Sequence, residues 1–241
     1  MSNWRALLLP YRELKVALPS GKWFRRVHYH HLMTDQELSD GVESFRAFPR
    51  LVADLTDGRV QITADVRHPR APLTTLSENG TRCYWPSPDD VSSVLNEFAP
   101  AGLYDSIFLL WPQHDSQKDS RIPCLGWGLG MGPGAWSNGC TYAVVANAPS
   151  SAWKGEAPGE VWLHEWLHGV CRFYQSRGYD MPERDADGAE IHGYTRSAER
   201  GWTEYYRALL NGTVPENGRL LGIPGPAWAC GQPATARLSA S

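Results

Sequence analysis

No stretch of this sequence approaches the ~20 consecutive apolar residues that a membrane-spanning helix requires, which argues against a membrane partner. The segment Met1 to Pro10 holds only a short apolar run and no small-residue cleavage site. The expected location is therefore cytoplasmic, with secretion as the second option. There is no excess of charge of either sign: 23 Lys and Arg stand against 26 Asp and Glu, for a net charge of −3. That balance offers no electrostatic case for nucleic acid or an anionic lipid surface as partner. The five cysteines, Cys83, Cys124, Cys140, Cys171 and Cys230, are odd in number and lack short repeated spacing. They are neither a disulfide framework nor a thiolate zinc site. A Cys124–Cys140 bridge across a glycine-rich stretch is the one pairing left open. Internal repeats are absent, and the glycines of 125–139 match neither the dinucleotide fingerprint nor the Gly-Lys-Ser/Thr of a P-loop.

Apolar residues make up 42% of the chain, enough for a core, and eleven tryptophans and ten tyrosines suit either that core or an aromatic cleft. Short strands are expected over 4–18, around Pro10, and over Trp23 to His31, where His28 and His30 share a face. Thr34 and Glu37 form a capping-box signature for a helix reaching about Leu55. Asp57-Gly58 then turns into an alternating strand, Arg59 to Val66. A loop with a short strand at Cys83–Trp85, a helix over Pro88–Phe98 and strands at Tyr104–Trp111 and Cys140–Ala146 follow. This β-α-β-α-β order implies an α/β layer with at least partly parallel strands. The glycine-rich stretch between the last two strands reads equally as a surface loop or as the rim of a cleft. A polar loop over Tyr179–Gly193, a helix from about Ser197 to Leu210 and a Pro/Gly-rich tail that wraps the surface or frays complete the chain.

Chemistry concentrates in a helix expected between Pro158 and Gly178, which contains His164-Glu165-Trp166-Leu167-His168. Residues four apart lie one above the other on a helix, so His164 and His168 present ring nitrogens to one point. Two imidazoles so placed suit Zn²⁺ at about 2.0–2.1 Å, one ion per chain. Glu165, directly after the first ligand, reaches water on the ion as a general base without being a ligand. Val161, Trp162, Leu163, Trp166, Leu167, Val170, Phe173 and Tyr174 surround the motif, so the helix is buried. Polar groups on a buried helix need partners, and a metal with its water supplies them.

This His-Glu-x-x-His helix, preceded by an α/β lobe ending in a strand, resembles the zincin metallopeptidases. The resemblance implies a mixed-sheet N-terminal lobe (1–157), then the active-site helix and a smaller, mainly helical lobe (158–211), and the tail 212–241, all in one catalytic domain. It also implies an edge strand that aligns a peptide beside the metal, a place the strand at Cys140–Ala146 could fill. Only the five-residue motif is specific. The metzincin extension is absent, because Cys171 and Tyr174 occupy its positions. For the third ligand the candidates are Asp187, in a Gly- and Tyr-containing segment loosely like that of aspzincins, then His192, then Glu190, a loose gluzincin match. Tyr194 is a candidate donor to a developing oxyanion. The expected function is hydrolysis of peptide bonds, with a small molecule as the alternative substrate of the same zinc hydrolase.

Overall fold

The computed structural model describes residues 1–20, 25–124, 126–155, 157–229 and 231–233. The chain opens with β1 (Ser2–Pro10) and a hairpin of β2 (Glu13–Pro19) and β3 (Arg26–Leu32), followed by α1 (Asp35–Leu55) and β4 (Val60–Val66). Trp23 and Phe24, which the strand expected at 23–31 includes, and the turn residue Gly21 lie outside the described residues. Two small elements, β5 (Ser77–Glu78) and β6 (Tyr84–Trp85), precede α2 (Ser92–Phe98) and β7 (Ser106–Trp111). The pair β8 (His114–Asp115) and β9 (Ser120–Arg121) leads to β10 (Gly128–Met131), β11 (Thr141–Ala146), α3 (Ser150–Gly155) and α4 (Glu160–Gln175). A 3₁₀ turn at Asp185–Asp187, α5 (Thr203–Leu210) and the hairpin β12 (Val214–Glu216) and β13 (Arg219–Leu221) complete the order.

The fold is mixed α/β around a five-stranded sheet in the order β10-β11-β7-β1-β4. β1 runs parallel to β4 and β7, and β7 parallel to β11, while β10 joins the far edge antiparallel. Both faces of the central strands are buried, as parallel strands require. Trp4, Ala6 and Leu8 of β1 enter the core on the side of α1 and α4, and Leu7 and Leu9 enter the opposite one with Trp85 and Trp111. α1 starts as expected: the Thr34 side chain accepts from the Glu37 N–H, and the Glu37 carboxylate accepts from the Thr34 N–H at 2.8 Å.

Two expectations are corrected and one open pairing is decided. The strand at Cys140–Ala146 is not an edge: β11 lies between β7 and β10, and the edge is the glycine-rich stretch itself. The tail beyond Gly212 neither wraps nor frays through residue 229. It forms the β12–β13 hairpin and inserts Trp228, 3% exposed, against Trp4, Trp166 and Tyr174, with ring centroids 6.1, 6.1 and 5.1 Å away. No Cys124–Cys140 bridge exists: both thiols are free, and Cys140 instead donates to the Tyr104 carbonyl at 3.0 Å. Cys230 lies outside the described residues. The final helix is also shorter than expected, beginning at Thr203 rather than Ser197. One core runs from α1 through α4 to α5 and Trp228, so hydrophobic packing crosses the lobe boundary drawn at residue 157.

α4 is held on its buried sides by Trp162, Leu163, Trp166, Leu167, Val170 and Tyr174, each at most 1% exposed. Burying side chains of this size stabilises by roughly 1.5–3 kcal/mol each. The Trp166 indole donates to Ser106 Oγ at 2.9 Å, which fixes the helix against β7. Gly159, at φ +85°, begins the helix where a Cβ would lie 2.7 Å from the Phe48 backbone nitrogen. Only glycine brings the chain that close to α1 in that conformation.

Candidate metal centre

The 3₁₀ turn at Asp185–Asp187, α5 and β10 meet around one side of α4. His164 and His168 stand one turn apart with their Nε2 atoms 3.3 Å from each other. The 3₁₀ turn brings in Asp187, whose Oδ1 lies 3.4 Å from His164 Nε2 and whose Oδ2 lies 3.7 Å from His168 Nε2. Among the described residues this is the one group of three or more His, Cys, Asp or Glu side chains with metal-ligand spacing. A tetrahedron with arms of about 2.0–2.1 Å has edges of about 3.3–3.4 Å; the two histidine nitrogens match one such edge, and one donor atom from each of the three residues lies within 4.8 Å of the others.

The outer nitrogens are anchored. His168 Nδ1 sits 2.5 Å from Asp185 Oδ1, and an ionised carboxylate only accepts, so the proton is on Nδ1 and the Nε2 lone pair faces the group. His164 Nδ1 contacts the Tyr206 hydroxyl at 2.8 Å. Such outer partners set tautomer and ring orientation at metal-binding histidines. α5 supports both anchors, because Tyr205, adjacent to Tyr206, donates its hydroxyl to the Asp185 carbonyl. The loop that delivers the carboxylates holds Arg184 at φ +62° and Asp185 at φ +37°. Two successive non-glycine residues in the left-handed region are strained, and such strain persists where surrounding contacts impose it.

Glu165 is 5% exposed, with Oε1 3.9 Å from His164 Nε2. Burial pushes its carboxyl up to about 7; His164 pulls it down, while Asp187 and Asp185 push it further up. Asp187 is held below the usual carboxylate range chiefly by its hydrogen bond with His164.

β10 forms the facing wall, and its glycines explain the alternation in the sequence. A Cβ on Gly128 would fall 2.4 Å from the Glu165 carboxyl, and one on Gly130 would fall 2.0 Å from the Glu165 carbonyl oxygen. Glycines at alternate positions turn one strand face into bare backbone, which lies directly on α4, while Leu129 and Met131 pack into the opposite core. A cleft of about 590 Å³ opens here, lined by Gly128, Gly130, His164, Glu165, His168 and Asp187 among others.

No protein-family model matches the chain, and a search of curated proteins finds no match. The site therefore rests on its own geometry.

Of the sequence candidates, the structure brings together His164, His168, Asp187 and Glu165. It does not bring His192 to the group: its Nε2 lies 3.2 Å from the Glu183 carbonyl and 3.4 Å from Glu216, and its ring stacks on Tyr205. Glu190 is exposed outside the group. Tyr194 packs edge-on against Tyr205 at 5.2 Å and does not line the cleft. Nor do His28 and His30 contribute: His28 is exposed, and His30 binds Glu13 at 2.7 Å. Sequence reasoning gave no role to Asp185 or Tyr206. The available signal was chemical: a histidine that offers one ring nitrogen to a metal needs a partner for the other, and Asp185 stands two residues before the candidate ligand Asp187.

Proposed function

We propose that this protein is a zinc-dependent hydrolase of zincin-like architecture, with peptide bonds as its substrate. The observation that carries the reading is the meeting of His164 Nε2, His168 Nε2 and the Asp187 carboxylate within metal-ligand spacing, with both outer nitrogens anchored. His164, His168 and Asp187 would hold one Zn²⁺ per chain. When bound, the ion would supply a Lewis acid that acidifies water and polarises a carbonyl. Glu165 is the base: its carboxylate takes the proton from the attacking water and returns it to the leaving nitrogen. Burial beneath β10 keeps that carboxylate poorly solvated, which suits a group that must both accept and release a proton near neutral pH.

The peptide reading is favoured by β10. Among the described residues it pairs only with β11, so its other edge presents backbone donors and acceptors beside the site. An extended peptide can add to such an edge through main-chain hydrogen bonds. A small-molecule substrate is the second reading, favoured by a cleft volume within the ~300–1,000 Å³ typical of small-ligand sites.

The test combines metal analysis by mass spectrometry with digestion of an unstructured peptide library. One zinc per chain, cleavage by the wild type, and a loss of about 10²–10⁴-fold in Glu165→Gln with metal retained are the expected results. A chain that is metal-free and takes up no added zinc would overturn the hydrolase. Zinc binding without cleavage of any peptide would move the assignment to a small molecule.

A further inference from the structure

α4 lines the cleft with a stripe at four-residue spacing: Glu160, His164, His168 and Arg172. Three of these have partners. Glu160 accepts from the Trp202 N–H at 2.6 Å and lies 3.8 Å from Arg196, and the two histidines form the metal group. Arg172 is different. It is exposed at the cleft rim, and among the described residues its guanidinium has neither an ion-pair nor a hydrogen-bond partner. Its stem is nevertheless held in place: a Cβ on Gly132 would meet Arg172 Cβ at 3.0 Å and Cδ at 3.6 Å, so the aliphatic part lies flat on the chain leaving β10.

Arg172 also lines a second cavity of about 310 Å³ on the other side of β10, with Ser77, Trp85, Leu129 and Met131. The acids near that cavity are engaged elsewhere. Glu78 accepts from the Arg82 N–H at 2.6 Å, and Asp90 accepts from the Ser77 and Ser87 hydroxyls at 2.9 and 2.7 Å. An arginine with a fixed stem and an open planar fork is suited to bidentate capture of a carboxylate.

We propose that Arg172 is a specificity determinant that binds an acidic side chain of the substrate on the N-terminal side of the cleaved bond. The inference rests on the peptidase reading for which bond is cleaved, but not for the capture of the acid. Direction follows from the packing. Gly128 lies over the Glu165 side chain, Gly130 between the Glu165 carbonyl and His168 Cβ, and Gly132 over Arg172, so β10 and α4 run the same way. A peptide added antiparallel to β10, the more stable pairing, therefore has its N-terminal end towards Arg172. Four helical residues advance about 6 Å and one strand residue about 3.4 Å, so Arg172 serves a position roughly two residues from the metal centre.

The test uses the full zinc-loaded chain and a positional peptide library with cleavage sites read by mass spectrometry. The wild type is expected to favour Asp or Glu over Asn or Gln about two residues before the cut by roughly ten- to a hundredfold, the worth of a charge-assisted hydrogen bond. Arg172→Gln should abolish the preference, Arg172→Lys should retain part of it, and Arg172→Glu should turn it towards Lys and Arg. Unchanged zinc content and urea midpoint in these variants would show that the fold is intact. An acidic preference that survives Arg172→Glu, or cleavage with no acidic preference, would overturn the proposal and leave the peptidase standing. If nothing is cleaved, anisotropy of labelled eight-residue peptides carrying a single Glu or Gln, bound to zinc-loaded Glu165→Gln, decides. Tighter binding of the Glu peptides that is lost with Arg172→Gln keeps the acid subsite while the peptidase falls; equal binding removes both.

Discussion

Asp185→Asn should weaken zinc binding without disturbing the fold. Asp185 touches no metal position; it acts through the 2.5 Å contact of Oδ1 with His168 Nδ1. Asparagine is the right perturbation because the residue sits at φ +37°, where alanine would add strain and asparagine is tolerated. Its amide oxygen can still accept from the Ala186 N–H, as Oδ1 does now at 2.5 Å. What disappears is the negative charge that raises the basicity of the ring. Loss of such an outer partner typically lowers metal affinity by about 10–100-fold, equivalent to about 1.4–2.7 kcal/mol. Tyr206→Phe removes a neutral partner from His164, so its effect should be about 1 kcal/mol. Both are measured by competition for zinc with a chromophoric chelator at fixed pH, with circular dichroism as the check on folding. The weakened site should also show a smaller zinc-induced rise in Tm. An Asp185→Asn variant within twofold of the wild type, or a larger loss in Tyr206→Phe, would refute the assignment of Asp185 as the charged anchor.

Elemental analysis should find zinc lost in Asp187→Ala and kept in His192→Ala; the reverse pattern would exchange their roles. Gly130→Ala forces a Cβ to within 2.0 Å of the Glu165 carbonyl oxygen, so urea denaturation should show destabilisation of about 3 kcal/mol or more. An unchanged midpoint would mean that β10 is not seated on α4 as described. In the metal-free protein, the Glu165 carboxyl at about 7 lies above its unfolded value near 4.5, so the folded state holds the proton more tightly. That contribution to stability is complete below pH 4.5 and is lost as pH rises through about 7. Between pH 5.5 and 8 the loss should be about 2 kcal/mol in the wild type and absent in Glu165→Gln, measured by urea unfolding in chelator. Parallel pH profiles for the two proteins would show that Glu165 is not buried as an acid.

The elements whose information is local could be read from the sequence. The capping box at Thr34, the turn at Asp57-Gly58 and the apolar girdle of α4 each follow from a few neighbouring residues. So does the pairing of His164 with His168, since helix geometry alone aligns them. The place of Asp187 beside the two histidines required a fold, because a loop's return to a helix is decided by contacts such as Tyr205 with Asp185, which are remote in sequence. The strand character of β10, as opposed to its place on the cleft rim, is hidden from the sequence for a different reason. Alternation with period two was present in Gly128–Met131, but strand patterns are recognised by side chains, and here one face is glycine. The tail misled through composition: its prolines and glycines suggest loop, whereas one tryptophan, Trp228, decides where the segment goes.

The seating of Trp228 has a kinetic consequence. The aromatic cluster around Trp166 draws on Trp4, Phe48, Phe173 and Trp228, which come from the beginning, the first helix, the middle and the last part of the sequence. Contacts at such separations close slowly. During synthesis from the N-terminus, His164 and His168 emerge first, then Asp187, and Trp228 last. A partly made chain thus carries the two histidines on a helix whose buried side still lacks its final aromatic neighbour. Closure of the buried side of that helix therefore waits on a residue about sixty positions beyond His168.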